Sequence, residues 1–158
     1  MAVVLNDLKE GMALNPFREG ETYTRKSVYS ICYPGQSWDK GGPWASGFDN
    51  VRQDTPDKKL IIFMSIGISG RTGHDYNNSY NPEIQEIIWC GDRGSHPNQP
   101  TFANLIQGFS VPHFFARWDE KPQFKYLGIG LLKSVKENFH SDAGLVLRLK
   151  FKCLEREF

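Results

Sequence analysis

Apolar and polar positions divide the chain into short strands, a few helical turns and long polar loops. Residues 59–68 form the clearest strand, β-rich and bounded by Asp54 to Asp57 before and by Gly70-Arg71-Thr72-Gly73 after. Its apolar run from Leu60 to Met64 is continuous rather than alternating, which predicts a central strand covered on both faces. Further strands are predicted over residues 83–90, 111–118, 124–132 and 144–154. The last alternates, with Leu145, Leu147, Leu149, Phe151 and Cys153 on one side and Val146, Arg148, Lys150 and Lys152 on the other, so its basic residues share a face.

Helical spacing is weaker. Leu5, Leu8 and Met12 suit one face of a short helix ending near Gly11. Thr24 is an N-cap candidate for a helical turn carrying Val28 and Ile31, which puts Tyr23 and Arg25 at a helix start. A second helix is predicted from Thr101, with Phe102, Leu105 and Ile106 at helical spacing. Residues 33–47 carry Pro34, Gly35, Gly41, Gly42, Pro43 and Gly47 and read as a long loop, and residues 69–80 as a second one. Five strands with short helices and no internal repeat predict an α+β fold. It is expected to be a single domain over residues 1–158, a mixed sheet curled into a half-open pseudobarrel.

Composition supports that picture and removes some functions. A chain of 158 residues suits one domain, and a globule of this size buries about 68–70% of its unfolded surface. With 23% charged and 13% aromatic residues, the chain reads as folded rather than disordered. The formal net charge of +1 comes without a basic tail, so contact with nucleic acid has to come from a folded surface. Cys32, Cys90 and Cys153 lack metal or redox spacing and are expected to be core thiols. No signal segment is visible and the longest apolar stretch is too short for a bilayer, so a cytoplasmic protein with no membrane contact is expected.

Candidate chemistry concentrates in residues 91–108, a rigid and mostly uncharged loop followed by a short helix. Pro97 and Pro100 each fix φ and lack a donor, whereas Ser95, His96, Asn98, Gln99 and Thr101 offer short polar groups beside Arg93. Free N–H groups at the start of the following helix would face whatever the loop holds. Together these describe an anion site with an apolar wall.

Two enzyme readings compete. His74, in His74-Asp75-Tyr76-Asn77-Asn78, and His96 could hold one metal ion of a small nuclease, but both histidines lie in glycine-bearing loops rather than on a hairpin and a following helix. Cys90 with His96 or His113 could form a nucleophile and base, although a cysteine after Ile-Ile-Trp is more often a buried thiol. His113 and His140 read as structural or surface histidines. Arg117, in Phe-Phe-Ala-Arg-Trp, could pair with Asp119 or reach a phosphate. No catalytic residue, metal ligand or cofactor site is assigned.

The order Tyr23-x-Arg25, Trp44-x-x-Gly47-Phe48, an apolar strand ending at Phe63, Tyr76-x-Asn78, Trp89, Ser95-His96-Pro97, Phe114-x-Ala-Arg117 and Tyr126-x-Gly128 resembles the DNA-reading modules of modification-dependent restriction endonucleases. In particular it is similar to the sulfur-binding domains attached to HNH nucleases, which recognise phosphorothioate-modified DNA. The resemblance spans residues 20–154. It implies a non-catalytic domain that docks in the major groove of double-stranded DNA and holds a phosphorothioate sulfur in a shallow apolar cavity, with a nuclease domain in the same or a partner chain. His96, Pro97 and Pro100 match the cavity loop, although Pro100 stands where alanine is usual. Tyr23 and Arg25 match the pair that flanks the modified backbone.

Sulfur in place of a non-bridging oxygen is larger, more polarisable and less hydrated, and so leaves water for a proline wall at lower cost. Arg25, Arg71, Arg93 and Arg117 are candidates for ordinary phosphate contacts, and Arg71, Asn77 and Asn78 for reading base edges. The expected function is therefore targeting of a restriction system to phosphorothioate-modified DNA. The alternatives are a pseudobarrel module reading an unmodified or methylated sequence, and the small nuclease using His74 and His96.

Overall fold

Thr24 starts the first helix through its side chain. Its Oγ1 accepts from Ser27 N at 3.1 Å while Ser27 Oγ accepts from Thr24 N at 2.9 Å, a reciprocal cap that satisfies two backbone donors. The resulting helix, α1 (Arg25–Cys32), buries Val28 and Cys32 one turn apart, and Ile31 stays 38% exposed rather than joining them. The computed structural model describes residues 15–36, 48–51, 59–68, 78–91, 94–141 and 144–154, with 48–51 by backbone alone. The short helix expected around Leu5 to Met12 and most of the two long loops lie outside the described residues.

The strands are β1 (Thr22–Thr24), β2 (Phe48–Val51), β3 (Lys59–Ser65), β4 (Ser79–Asn81), β5 (Glu86–Cys90), β6 (Val111–Arg117), β7 (Gln123–Ser141) and β8 (Gly144–Cys153). They form a curled mixed sheet in the order β2-β3-β6-β7-β8-β5-β4, with β1 paired to the start of β7. Among the described residues only β3 and β6 run parallel, and that pair is buried on both faces, which explains the unbroken apolar run of β3. A second helix, α2 (Pro100–Ile106), lies between β5 and β6. The half-open barrel with two short helices matches the expected α+β class.

Each face of the sheet carries a core. Leu60, Ile62 and Met64 of β3, Phe114 of β6, Ile87 and Trp89 of β5 and Leu147, Leu149 and Phe151 of β8 converge on one side. There α2 inserts Phe102 and Leu105, with the Phe102 ring 5.4 Å from that of Trp89. On the other side Ile61, Phe63, Phe115, Phe124 and Tyr126 pack against Phe17 and against Val28 and Cys32 of α1. Gly130 lets β7 curl tightly over the first core, because a Cβ there would stand 2.6 Å from the Phe114 ring and 3.0 Å from Phe151.

Several boundaries differ from the sequence expectation. Five strands were predicted and eight occur among the described residues, since β1, β2 and β4 have three or four residues and too little alternation to register. Strand β5 begins at Glu86 instead of residue 83 because 82–85 turns, with Gln85 at φ +53°. Strand β7 runs on to Ser141, since backbone pairing with β8 sustains its polar, exposed second half. Leu145 is 44% exposed and Val146 fully buried, so the alternation of β8 breaks at its first turn of pairing. All three cysteines are buried and none is in a disulfide, as expected of core thiols. Among the described residues no helix is long and apolar enough to cross a membrane.

Candidate nucleic-acid interface

The loop between β5 and α2 is held at its root by β8. Gly91 N donates to Leu147 O at 2.8 Å, Gly94 N to Leu145 O at 2.9 Å, and Ser95 Oγ accepts from Leu147 N at 2.7 Å. A Cβ on Gly91 would meet Ser95 Oγ at 2.6 Å and the Phe102 ring at 2.7 Å, so the loop can close only over glycine. Beyond the root, His96 N donates to Gln99 Oε1 at 3.1 Å and Gln99 N to His96 O at 3.2 Å. These two bonds close a turn with Pro97 at its second position, where a fixed φ suits it.

That arrangement divides the predicted loop residues. Ser95 is half-buried and anchors the loop, and Gln99 braces the turn, which leaves α2 without a side-chain cap. His96, Asn98 and Pro100 are exposed, and Pro97 and Thr101 half-buried. The outward surface is therefore an imidazole, an amide and a pyrrolidine on a braced turn. Pro100 opens α2, where its missing N–H costs no helical bond.

A second group forms at the other end of β7, beside its first residues. The Arg25 guanidinium lies 4.9 Å from the Phe124 ring centroid and 5.3 Å from that of Phe63, and the Arg117 guanidinium lies 4.7 Å from Phe124. Two cations share one aromatic ring, which orients both. Arg117 Nε also donates to Ser65 Oγ and Nη1 to Lys121 O, each at 3.0 Å. Asp119 Oδ1 accepts from Lys121 N at 3.0 Å and caps the turn, and among the described residues Arg117 forms no ion pair with it. Burial lowers the Arg117 pKa below the ordinary arginine value, against the opposing pull of Glu120 and Asp119. Tyr23 packs edge-on against Phe17 and Phe115, and its hydroxyl accepts from Arg18 N at 3.0 Å.

Asn78 is used structurally, since its Oδ1 accepts from Cys90 N at 2.8 Å, and a bidentate bond to adenine would compete with that contact. Arg71, Asn77 and Arg93, with His74, lie outside the described residues. Tyr23, Arg25 and Arg117 thus gather at the start of β7, whereas residues 94–101 lie by β8 near the end of the β7–β8 hairpin. The spacing in sequence carried no sign of this separation. It follows from strand order alone.

One of the two histidines read from the sequence as structural or surface groups lies in the core. His113 is fully buried in β6, with Nδ1 2.8 Å from Tyr126 Oη, which also accepts from Asn15 Nδ2 at 2.8 Å. Its Nε2 is buried without a hydrogen-bond partner, so the expected satisfied histidine is only half satisfied. Burial, aided by Lys59, pushes its pKa down to about 3, which makes it a neutral ring at any ordinary pH. The pairing of Cys90 with His113 fails on geometry: Cys90 is buried beside Ile88 and Val146 on the outer face of β5, whereas His113 packs in the Phe17 and Tyr126 layer. Burial also pushes the Cys153 thiol up to about 12. Among the described residues no three His, Cys, Asp or Glu side chains group as metal ligands.

No protein-family profile and no curated protein matches the sequence. Solved structures do match the fold. The SRA domain of SUVH5 in complex with methylated CHH DNA superposes with a TM-score of 0.54 at 18% identity, over 89% of this chain and 90% of that one. SUVH6 from Arabidopsis thaliana, solved with SAM, gives 0.54 at 15% identity over 87% of this chain and 26% of its own. The MspJI restriction endonuclease with a 27-mer oligonucleotide gives 0.45 at 10% identity over 61% and 29%, a score too low to establish a shared fold. At these identities the likeness is one of architecture.

Proposed function

We propose that this chain is a DNA-recognition domain for modified duplex DNA, and that residues 94–101 hold a phosphorothioate. The observation that carries the reading is the braced turn 96–99, whose rings and amide project from a root bonded to β8. A preorganised turn loses little entropy on binding, and its proline rings offer a sulfur contact that asks for no strong hydrogen bond. A normal phosphate oxygen in the same place loses hydration that the prolines cannot replace. That penalty is about 1–3 kcal/mol, or about 5- to 150-fold in affinity.

Arg25 and Arg117 supply phosphate contacts that add affinity without modification specificity. A domain of this kind serves as the targeting part of a restriction system, with cleavage performed by a nuclease domain in the same or a partner chain. The decisive experiment is a gel shift of one duplex with and without an Rp phosphorothioate at the same step. Equal binding to both sinks the phosphorothioate reading.

A second reading has its own support, since the SUVH5 SRA domain that shares this architecture was solved with methylated and with hydroxymethylated DNA. Here the modified group would be a base rather than the backbone. A third lane carrying 5-methylcytosine separates the two: preference for that duplex over the phosphorothioate favours the base reading.

A further inference from the structure

Arg148 and Lys150 stand on the face of β8 opposite Leu147, Leu149 and Phe151, and β7 sets Lys136 directly across from Arg148 and Ser134 across from Lys150. Phe139 lies between two of these cations, its ring centroid 5.6 Å from Lys136 Nζ and 4.9 Å from Arg148 Cζ. The ring packs on Ile88, Cys90 and Val146, a small apolar cluster beneath the charged row. Lys152 continues the row, but it sits across from Glu86 and donates Nζ to Ile84 O.

Like charges directly opposite on neighbouring strands destabilise a sheet, and here a lysine faces an arginine with a second lysine two residues on. No salt bridge joins Lys136, Arg148 or Lys150 to a carboxylate among the described residues. The fold therefore holds a cationic row at a cost to its own stability. Alternate residues of a strand lie about 6.6 Å apart, close to the spacing of successive phosphates along one DNA strand. The row also adjoins the loop, because Gly91, Gly94 and Ser95 bond to Leu145 and Leu147 immediately before Arg148.

We propose that this outer face of the β7–β8 arm is a second DNA-backbone site, in which Arg148 and Lys150 bind successive phosphates of the strand that passes the 94–101 loop and Lys136, across from Arg148, adds a third backbone contact. Phe139 pre-orders Lys136 and Arg148, so that less side-chain entropy is lost on binding. The inference rests on the DNA-recognition reading above and adds a surface which that reading does not use. It concerns bulk affinity and leaves modification specificity to the loop.

The test compares the full chain with the triple variant K136Q/R148Q/K150Q on matched duplexes with and without the phosphorothioate, over about 50–200 mM salt. Loss of three phosphate contacts lowers the slope of log K against log salt by about 2 to 3 and weakens both duplexes by about tenfold or more at low salt. The ratio of modified to unmodified affinity stays unchanged, so a failure here is distinct from a failure of the loop reading, which appears only in that ratio. The charge-preserving variant K136R/R148K/K150R, checked for an unchanged melting transition, retains the wild-type slope. Unchanged slope and affinity in the triple variant overturn the proposal. If that variant also self-associates, the cations serve instead to guard the edge of the second half of β7 that no described strand covers.

Discussion

Protonation of the unfolded chain at His113 should make this fold acid-sensitive well above the range in which carboxylates titrate. The folded ring is fully buried with a pKa near 3, against an ordinary value of 6.5 when exposed. Between those values the unfolded state binds a proton that the folded state does not, so stability rises with pH across the window. Above about pH 6.5 the contribution is fully present; as pH falls it is lost at about 1.4 kcal/mol per pH unit, until the folded ring itself titrates near pH 3. At pH 5 the accumulated loss is about 2 kcal/mol, a large share of the 5–15 kcal/mol typical of a domain. Urea unfolding of wild type and of His113→Gln at about pH 7 and about pH 5 checks this, because carboxylate contributions cancel in the difference between the two proteins. Wild type should lose about 2 kcal/mol more than the variant on acidification. Identical pH dependence in both would show that the ring is not held neutral by burial.

Three further outcomes follow from the interface. Pro97→Asp sets a carboxylate against the bound anion and should abolish preference for phosphorothioate DNA, while His96→Ala should cost about 1–3 kcal/mol on modified DNA and little on unmodified DNA; the ratio of affinities from matched gel shifts is the readout. Arg25→Ala and Arg117→Ala should each weaken both duplexes alike and reduce the salt slope by about one, and an unchanged slope removes that residue from the interface. Gly91→Ala should destabilise by about 1–3 kcal/mol in thermal or urea unfolding, because the added Cβ would overlap Ser95 and Phe102 at the loop root; a melting temperature equal to wild type would contradict that packing.

Much of the architecture was legible along the chain because it depends on local rules. The Thr24 cap is a side-chain bond across three residues, and the double burial of β3 shows as an unbroken apolar run. The α+β class and the curled mixed sheet follow from such segments added together. Strands β1, β2 and β4 were missed because three or four residues carry too little periodicity, and their pairing comes from neighbours supplied elsewhere in the chain. The second half of β7 was missed for the same reason, since exposed polar residues extend only because β8 returns beside them.

The candidate site divides along the same line. Residue types in 91–108 were enough to mark an uncharged, proline-bearing loop, because fixed φ angles and absent donors belong to the residues themselves. What each side chain has to spare was decided only in three dimensions. Ser95 is committed to Leu147 and Asn78 to Cys90, partners 52 and 12 residues away. Arg25 and Arg117 meet over Phe124, and Lys136 stands against Arg148, through strand pairings that no local spacing encodes. His113 is neutral because the Phe17 and Tyr126 layer closes over it. The sequence by itself determined which groups are present and which segments are stiff. Burial and register, which depend on contacts between distant parts of the chain, determined which of those groups remain available at the surface.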